Sequence, residues 1–281
     1  MLSSVLGGSM IMYTRKKIPA LSILVALTFL LMITVNALAN ILPIAGATTG
    51  DVSNAYPNLF APAGITFSIW GVIYLLLAFY TLYQLGIFQK QSNEEHAALV
   101  TRIGNLFAFS SIANTLWIFS WHYQIIMLSM VLMLLILFSL INIHLLLKNQ
   151  VLSKQEYFFI RLPFSVYFGW ITVATIANAT TLFVDLGWKG FGLSEPIWAS
   201  ALIVIGMLLG ITVSIRSRDA AYNATLIWAY LGILIKHTSA TGFNQAYMLV
   251  VRTVQISLVL LVVSLVFILF TKKSQRAYKK Q

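Results

Sequence analysis

Phe67, Trp70 and Tyr74 follow one another at spacings of three and four, which stacks them on one face of an α-helix. Aligned aromatic rings can hold a flat, largely apolar molecule, but they supply no acid, base or nucleophile. Two further stretches repeat the device: Ser110, Asn114, Trp117 and Trp121 share a face, as do Trp170, Ala174, Asn178 and Thr181. The two amides admit two readings. Each can hydrogen-bond a neighbouring helix, worth about 0.6 to 2 kcal/mol inside a membrane, or present its polar group to a cavity lined by aromatics. Ala174, small beside Trp170, would leave room for an occupant. The ligand-binding candidates are therefore Phe67, Trp70, Tyr74, Asn114, Trp117, Trp170, Ala174 and Asn178.

Other chemistry is poorly supplied. The chain has no cysteine, so thiolate metal sites, disulfides and cysteine nucleophiles are excluded. His96, His122, His144 and His237 lack metal-ligand spacing, and no phosphate-binding loop or nucleophile elbow occurs. The few acids fall at loops or at the ends of apolar stretches. No catalytic residue, metal or cofactor is expected, and the reading is of a protein that is not an enzyme.

The aromatic faces must be carried by membrane helices. With 59% hydrophobic and 9% charged residues among 281 and a mean hydropathy of +0.88, the chain could not cover its apolar surface in a soluble fold. A span needs about 20 apolar residues, and that length picks out eight: 18–42, 65–87, 103–121, 125–147, 158–184, 197–215, 221–235 and 250–271. The seventh is the weakest, short and followed by Lys236, His237, Thr238 and Ser239, which suggests a tilted, shortened or partly re-entrant segment. The first exceeds the apolar core of a secretory signal and is read as a retained span.

Charge tests this count independently, because Lys and Arg gather in cytoplasmic loops. Alternating the eight spans puts all of the 18 basic residues on one side except Lys189, Lys236 and Arg252. The expectation is an all-α polytopic bundle of about eight helices, integral to a bacterial plasma membrane, with both termini cytoplasmic. The net charge of +11 is then a topology signal rather than a nucleic-acid surface, and the basic tail can touch anionic lipid. Loop 43–62 lacks Lys and Arg and falls outside, where it is either a lid or a solvated connector. Gly206 and Gly210 form a GxxxG pattern in the sixth span, which leaves a homodimer open. Trp121, Trp188 and Trp198 sit where interfacial anchors usually lie.

Pro62 and Gly64 before Phe67, Trp70 and Tyr74, then Asn114 with Trp117, then Pro163, Trp170, Ala174, Thr175 and Asn178 occur in an order that resembles the tryptophan-rich sensory protein or translocator protein family (TspO/MBR). The resemblance covers about residues 18–184. It departs from the family at Ile65, where an aromatic is usual, and near Phe183, where the family has a Trp. It divides the chain into a cytoplasmic segment 1–17, a five-helix unit 18–184 with its external loop 43–62, a three-helix extension 185–271 and a basic tail 272–281. The resemblance implies a pocket open toward the external loop and a hydrophobic partner such as a porphyrin or sterol. A sensor or carrier is the leading expectation; a small-solute transporter, favoured by the polar groups of the last three helices, and porphyrin breakdown are the alternatives.

Overall fold

The computed structural model describes residues 19–42, 44–88 and 94–278, with side chains followed to Thr271. The expected segment 1–17, together with Pro43, Lys90 and the side chains of the basic tail, lies outside the described residues. Most of the rest is helical: α1 (Ala20–Ile41), α2 (Thr49–Ala55), α3 (Ile69–Gln84), α4 (Glu94–His122), α5 (Ile126–Leu147), α6 (Lys154–Glu156), α7 (Leu162–Asp185), α8 (Glu195–Ser217), α9 (Ala220–Thr238) and α10 (Met248–Tyr278). A 3-10 turn, Gly64–Ser68, leads into α3, and a π turn, Tyr157–Arg161, joins α6 to α7.

The ends of these helices follow from their sequences. Thr48 and Asp51 form a reciprocal capping box at α2, and Ser153 with Glu156 does the same at α6. Pro196 stands in the first turn of α8, where a missing N–H leaves no helical bond unmade, whereas Pro163 follows directly on the π turn within one continuous helix from Lys154. Arg218 stops α8 in a left-handed conformation, and Asp219 accepts from Tyr222 N to start α9.

Five helices close a ring in the order α3, α1, α4, α5, α7 and back to α3. The last three pack on one another and meet the ring through α7 and through the 3-10 turn before α3. Seven helical stretches among the described residues are long and apolar enough to cross a membrane, and α9 is not one of them. Its 19 residues nevertheless extend roughly 28 Å, close to the hydrocarbon thickness. The suspected shortening is therefore not seen. Its polar side chains face the bundle: Asn223 donates to Ser264 (2.7 Å), Tyr222 to Thr172 (3.1 Å) and Tyr230 to Ile203 O (2.6 Å).

Glycines let α9 come close. A Cβ at Gly206 would lie 2.7 Å from the Tyr230 hydroxyl, and one at Gly169 would lie 2.9 Å from Tyr222 O; Gly210 faces Leu226 just as tightly. The GxxxG pattern thus serves packing within one chain. At the far end of α9, Arg161 donates to Ser217 O (2.7 Å) while Ser165 donates to the buried Asp219 carboxylate. Asp219→Ala removes both a helix cap and a buried acceptor, so we expect a loss of about 2 kcal/mol or more. Thermal melting in detergent checks this, and Asp219→Asn, which keeps a capping oxygen, should lose less.

Candidate functional site

The three aromatic faces converge. Phe67 from the 3-10 turn, Trp70 from α3, Trp117 and Trp121 from α4, and Trp170, Ala174 and Asn178 from α7 line one small cavity of about 40 Å³. Trp170 and Trp117 are only 3% and 6% exposed. Trp170 takes Phe67 edge-on at 5.8 Å and Trp70 at 6.2 Å, while Trp117 stacks on Trp121 at 5.5 Å. Offset and edge contacts of this kind are the favourable aromatic geometries.

A second, wider cleft of about 600 Å³ lies between α1, α2 and α3. Thr49, Phe67 and Trp70 line both spaces, so the Phe67 and Trp70 rings form the aromatic part of the partition. Tyr74 lines only the cleft and stacks on Trp70 at 5.4 Å. Asn36, Asn40, Asn54 and Asp51 give its other wall polarity. Asp51 accepts from the Thr48 hydroxyl at 2.6 Å and from Thr48 N at 2.9 Å. The hydroxyl first, then the backbone N–H, holds its carboxyl below the ordinary value.

The two amides part company. Asn178 lines the cavity and also bridges helices, accepting from Trp117 Nε1 (2.9 Å) and donating to Ser129 (3.0 Å). Asn114 is in the lining of neither space. It accepts from Asn36 (2.7 Å) and donates to Tyr167 (3.3 Å), fully buried between α1, α4 and α7. Its role is the interhelical one.

Two buried polar groups stay without a hydrogen-bond partner beside these spaces: the Trp170 indole N–H and the Tyr74 hydroxyl. Such groups are uncommon in native folds. They are the unmet donors that an acceptor on a ligand would satisfy.

Residues 44–62 of loop 43–62 are folded rather than merely solvated. Trp121 Nε1 donates to Thr49 O (3.1 Å), which corrects its reading as an interface anchor: it is 5% exposed and lines the cavity. His122 donates from Nδ1 to Ile44 O (3.2 Å), which in the neutral ring leaves Nε2 to accept from Thr49 Oγ1 (3.1 Å). Thr49, Ser53 and Pro62 close the cavity from above.

The lid has a second anchor that motif reading missed. Along one face of α9, Trp228 donates to Thr66 O (3.0 Å), Gly232 O accepts from Ala63 N (3.0 Å), Lys236 reaches Asn54 (3.3 Å) and His237 donates to Leu59 O (2.9 Å). The spacing 228, 232, 236 is a helical stripe, and it was the only signal available. Lys236 also lies 5.8 Å over the Phe243 ring, and Arg252 is exposed, so neither cation lines the aromatic cavity or the cleft.

A Cβ at Gly232 would fall within 2.6 Å of Thr66 Cγ2 and 2.8 Å of Thr66 Cβ. Gly232→Ala should therefore push the 3-10 turn outward and carry Phe67 with it. Faster amide hydrogen exchange over residues 54–66 is the expected result, with partial recovery when Thr66→Ala is added.

No match is found among curated proteins or among solved structures. The family described as TSPO-like protein does match, over residues 22–270. The matched stretch takes in the last three helices as well as the five that carry the aromatic motifs. The chain belongs to the TSPO-like protein family.

Proposed function

We propose that this integral membrane protein binds a flat, largely apolar aromatic or sterol-like molecule in the space formed by the aromatic cavity and its adjoining cleft, as a sensor or carrier rather than an enzyme. The observation that carries the reading is the convergence of Phe67, Trp70, Trp117 and Trp170 from separate helices on one buried space. The departures from the family pattern do not touch it. Ile65 is exposed and Phe183 lies beside another cavity, so neither lines the aromatic cavity or the cleft.

The aromatic cavity is small. A volume of about 40 Å³ takes roughly two or three waters, so a porphyrin-sized ligand enters only when the Phe67 and Trp70 partition swings toward the cleft. Lid side chains Thr49 and Ser53 set the ceiling, and the free donors on Trp170 and Tyr74 would orient acceptor groups of the ligand. The distribution of basic residues supports cytoplasmic termini in a plasma membrane, which puts the lid on the external face.

Titrating detergent-purified protein with a porphyrin should quench tryptophan fluorescence saturably. Losing one ring contact of about 1 kcal/mol predicts that Trp170→Ala weakens the apparent Kd by roughly five- to tenfold. Asn114→Ala should lower the melting temperature with much less effect on Kd. Unsaturable quenching, indifferent to Trp170→Ala, would overturn the reading.

A further inference from the structure

A cavity of about 280 Å³ lies apart from the aromatic site, where the end of α7, the turn 187–192 and the first turns of α8 meet. It approaches the lower bound of small-molecule sites, about 300 Å³, and it is lined by Phe183, Trp188, Lys189, Glu195, Trp198 and Leu202 among others. Its wall is firmly constructed. Trp198 Nε1 donates to Gly190 O at 2.6 Å, and Trp188 packs 4.9 Å from Trp198 and 4.6 Å from Phe183. Residue 190 must be glycine on two counts: its φ is +61°, and a Cβ there would meet Trp198 Cδ1 at 2.7 Å.

The same turn presents Phe191 outward. Its φ of 52° is unfavourable for a residue bearing a side chain, and its ring is 86% exposed. Held in water, that ring gains nothing. At the boundary of a bilayer, beside two Trp side chains at helix ends, it is an anchor.

Charge narrows the occupant. Lys189 and Glu195 both line the cavity, and no ion pair joins them among the described residues. A ligand of a single sign would meet one favourable and one repulsive charge. A head group carrying both signs meets two partners.

We propose that this cavity binds a zwitterionic membrane phospholipid, its phosphate beside Lys189, its ammonium beside Glu195 and the start of one acyl chain against Phe183 and Leu202. Leu59 and Phe60 of the lid segment line the same cavity, and Leu59 O is held by His237. A lipid here therefore touches the segment that covers the aromatic cavity, and any effect of one occupant on the other's affinity is reciprocal.

Purifying the full-length protein with equal amounts of phosphatidylethanolamine and phosphatidylglycerol of identical acyl chains, then weighing it by native mass spectrometry, tests this directly. Several-fold more phosphatidylethanolamine should be retained. Lys189→Gln combined with Glu195→Gln should erase that preference, and Leu202→Trp, which fills the groove, should lower phosphatidylethanolamine retention. Arg252→Gln, altering a cation that does not line the cavity, should leave the preference intact. Equal retention of both lipids by the unaltered protein, a preference for phosphatidylglycerol, retention of neither, or a phosphatidylethanolamine preference that survives both cavity variants overturns the proposal. Porphyrin titration of the same variants separates this result from the fate of the aromatic site.

Discussion

Inside a hydrocarbon layer no water completes a polar group left unpaired, and the helix arrangement follows from where such groups find partners. Asn36, Asn114 and Tyr167 tie α1, α4 and α7 at one depth. Trp117, Asn178 and Ser129 tie α4, α7 and α5, and Asn223 with Ser264 ties α9 to α10. Apolar packing alone distinguishes poorly between one helix rotation and another in lipid, because the alternative contact is equally apolar. The polar ties select the rotation. Once it is set, the aromatic faces have only the bundle interior left to occupy.

The same requirement explains the last three helices. Residues 56–66, from the end of α2 into the 3-10 turn, carry backbone groups that depart from regular α-helix, and near a membrane these need fixed partners. The carbonyls of Leu59 and Thr66 accept from α9 side chains and Ala63 N donates to Gly232 O. Only glycine at 232 permits so close an approach to Thr66. The C-terminal helices are thus part of the candidate site's construction, in keeping with a family match that extends through them.

Helical periodicity made much of this legible. A 3.6-residue repeat puts Trp70 and Tyr74, Trp117 and Trp121, and Trp170, Ala174 and Asn178 on shared faces, whereas Phe67 reaches the cavity from a 3-10 turn; the length of apolar runs located the long helices. Periodicity gives direction but not depth, however. Asn114 shares a face with Trp117 yet sits a turn away from the cavity, opposite Tyr167. Trp121 looked like an anchor because it ends a helix, and only the folded lid above it turns that position into an interior one. The grip of α9 joins residues 162 to 182 positions apart, a separation at which spacing carries no information. The polarity that made α9 look deficient as a span is the trace of that grip.

The unpaired donors point to the energetics of occupation. Trp170 N–H and Tyr74 O–H are buried without partners, each leaving a desolvation penalty of about 1 to 3 kcal/mol unrelieved. The aromatic contacts that close the cavity offset this, since Phe67 and Trp70 both lean on Trp170. In the proposed binding mode, opening the partition would sacrifice those contacts, so the open state would be the less populated one and the apparent affinity of a ligand would fall by that fraction. A ligand of the proposed kind would regain the aromatic contacts with its own rings and could satisfy the two donors as well. Selectivity would then favour molecules that do both: a flat apolar body would restore the stacking, and acceptor atoms would relieve the buried N–H and O–H. A hydrocarbon of equal size would restore only the first.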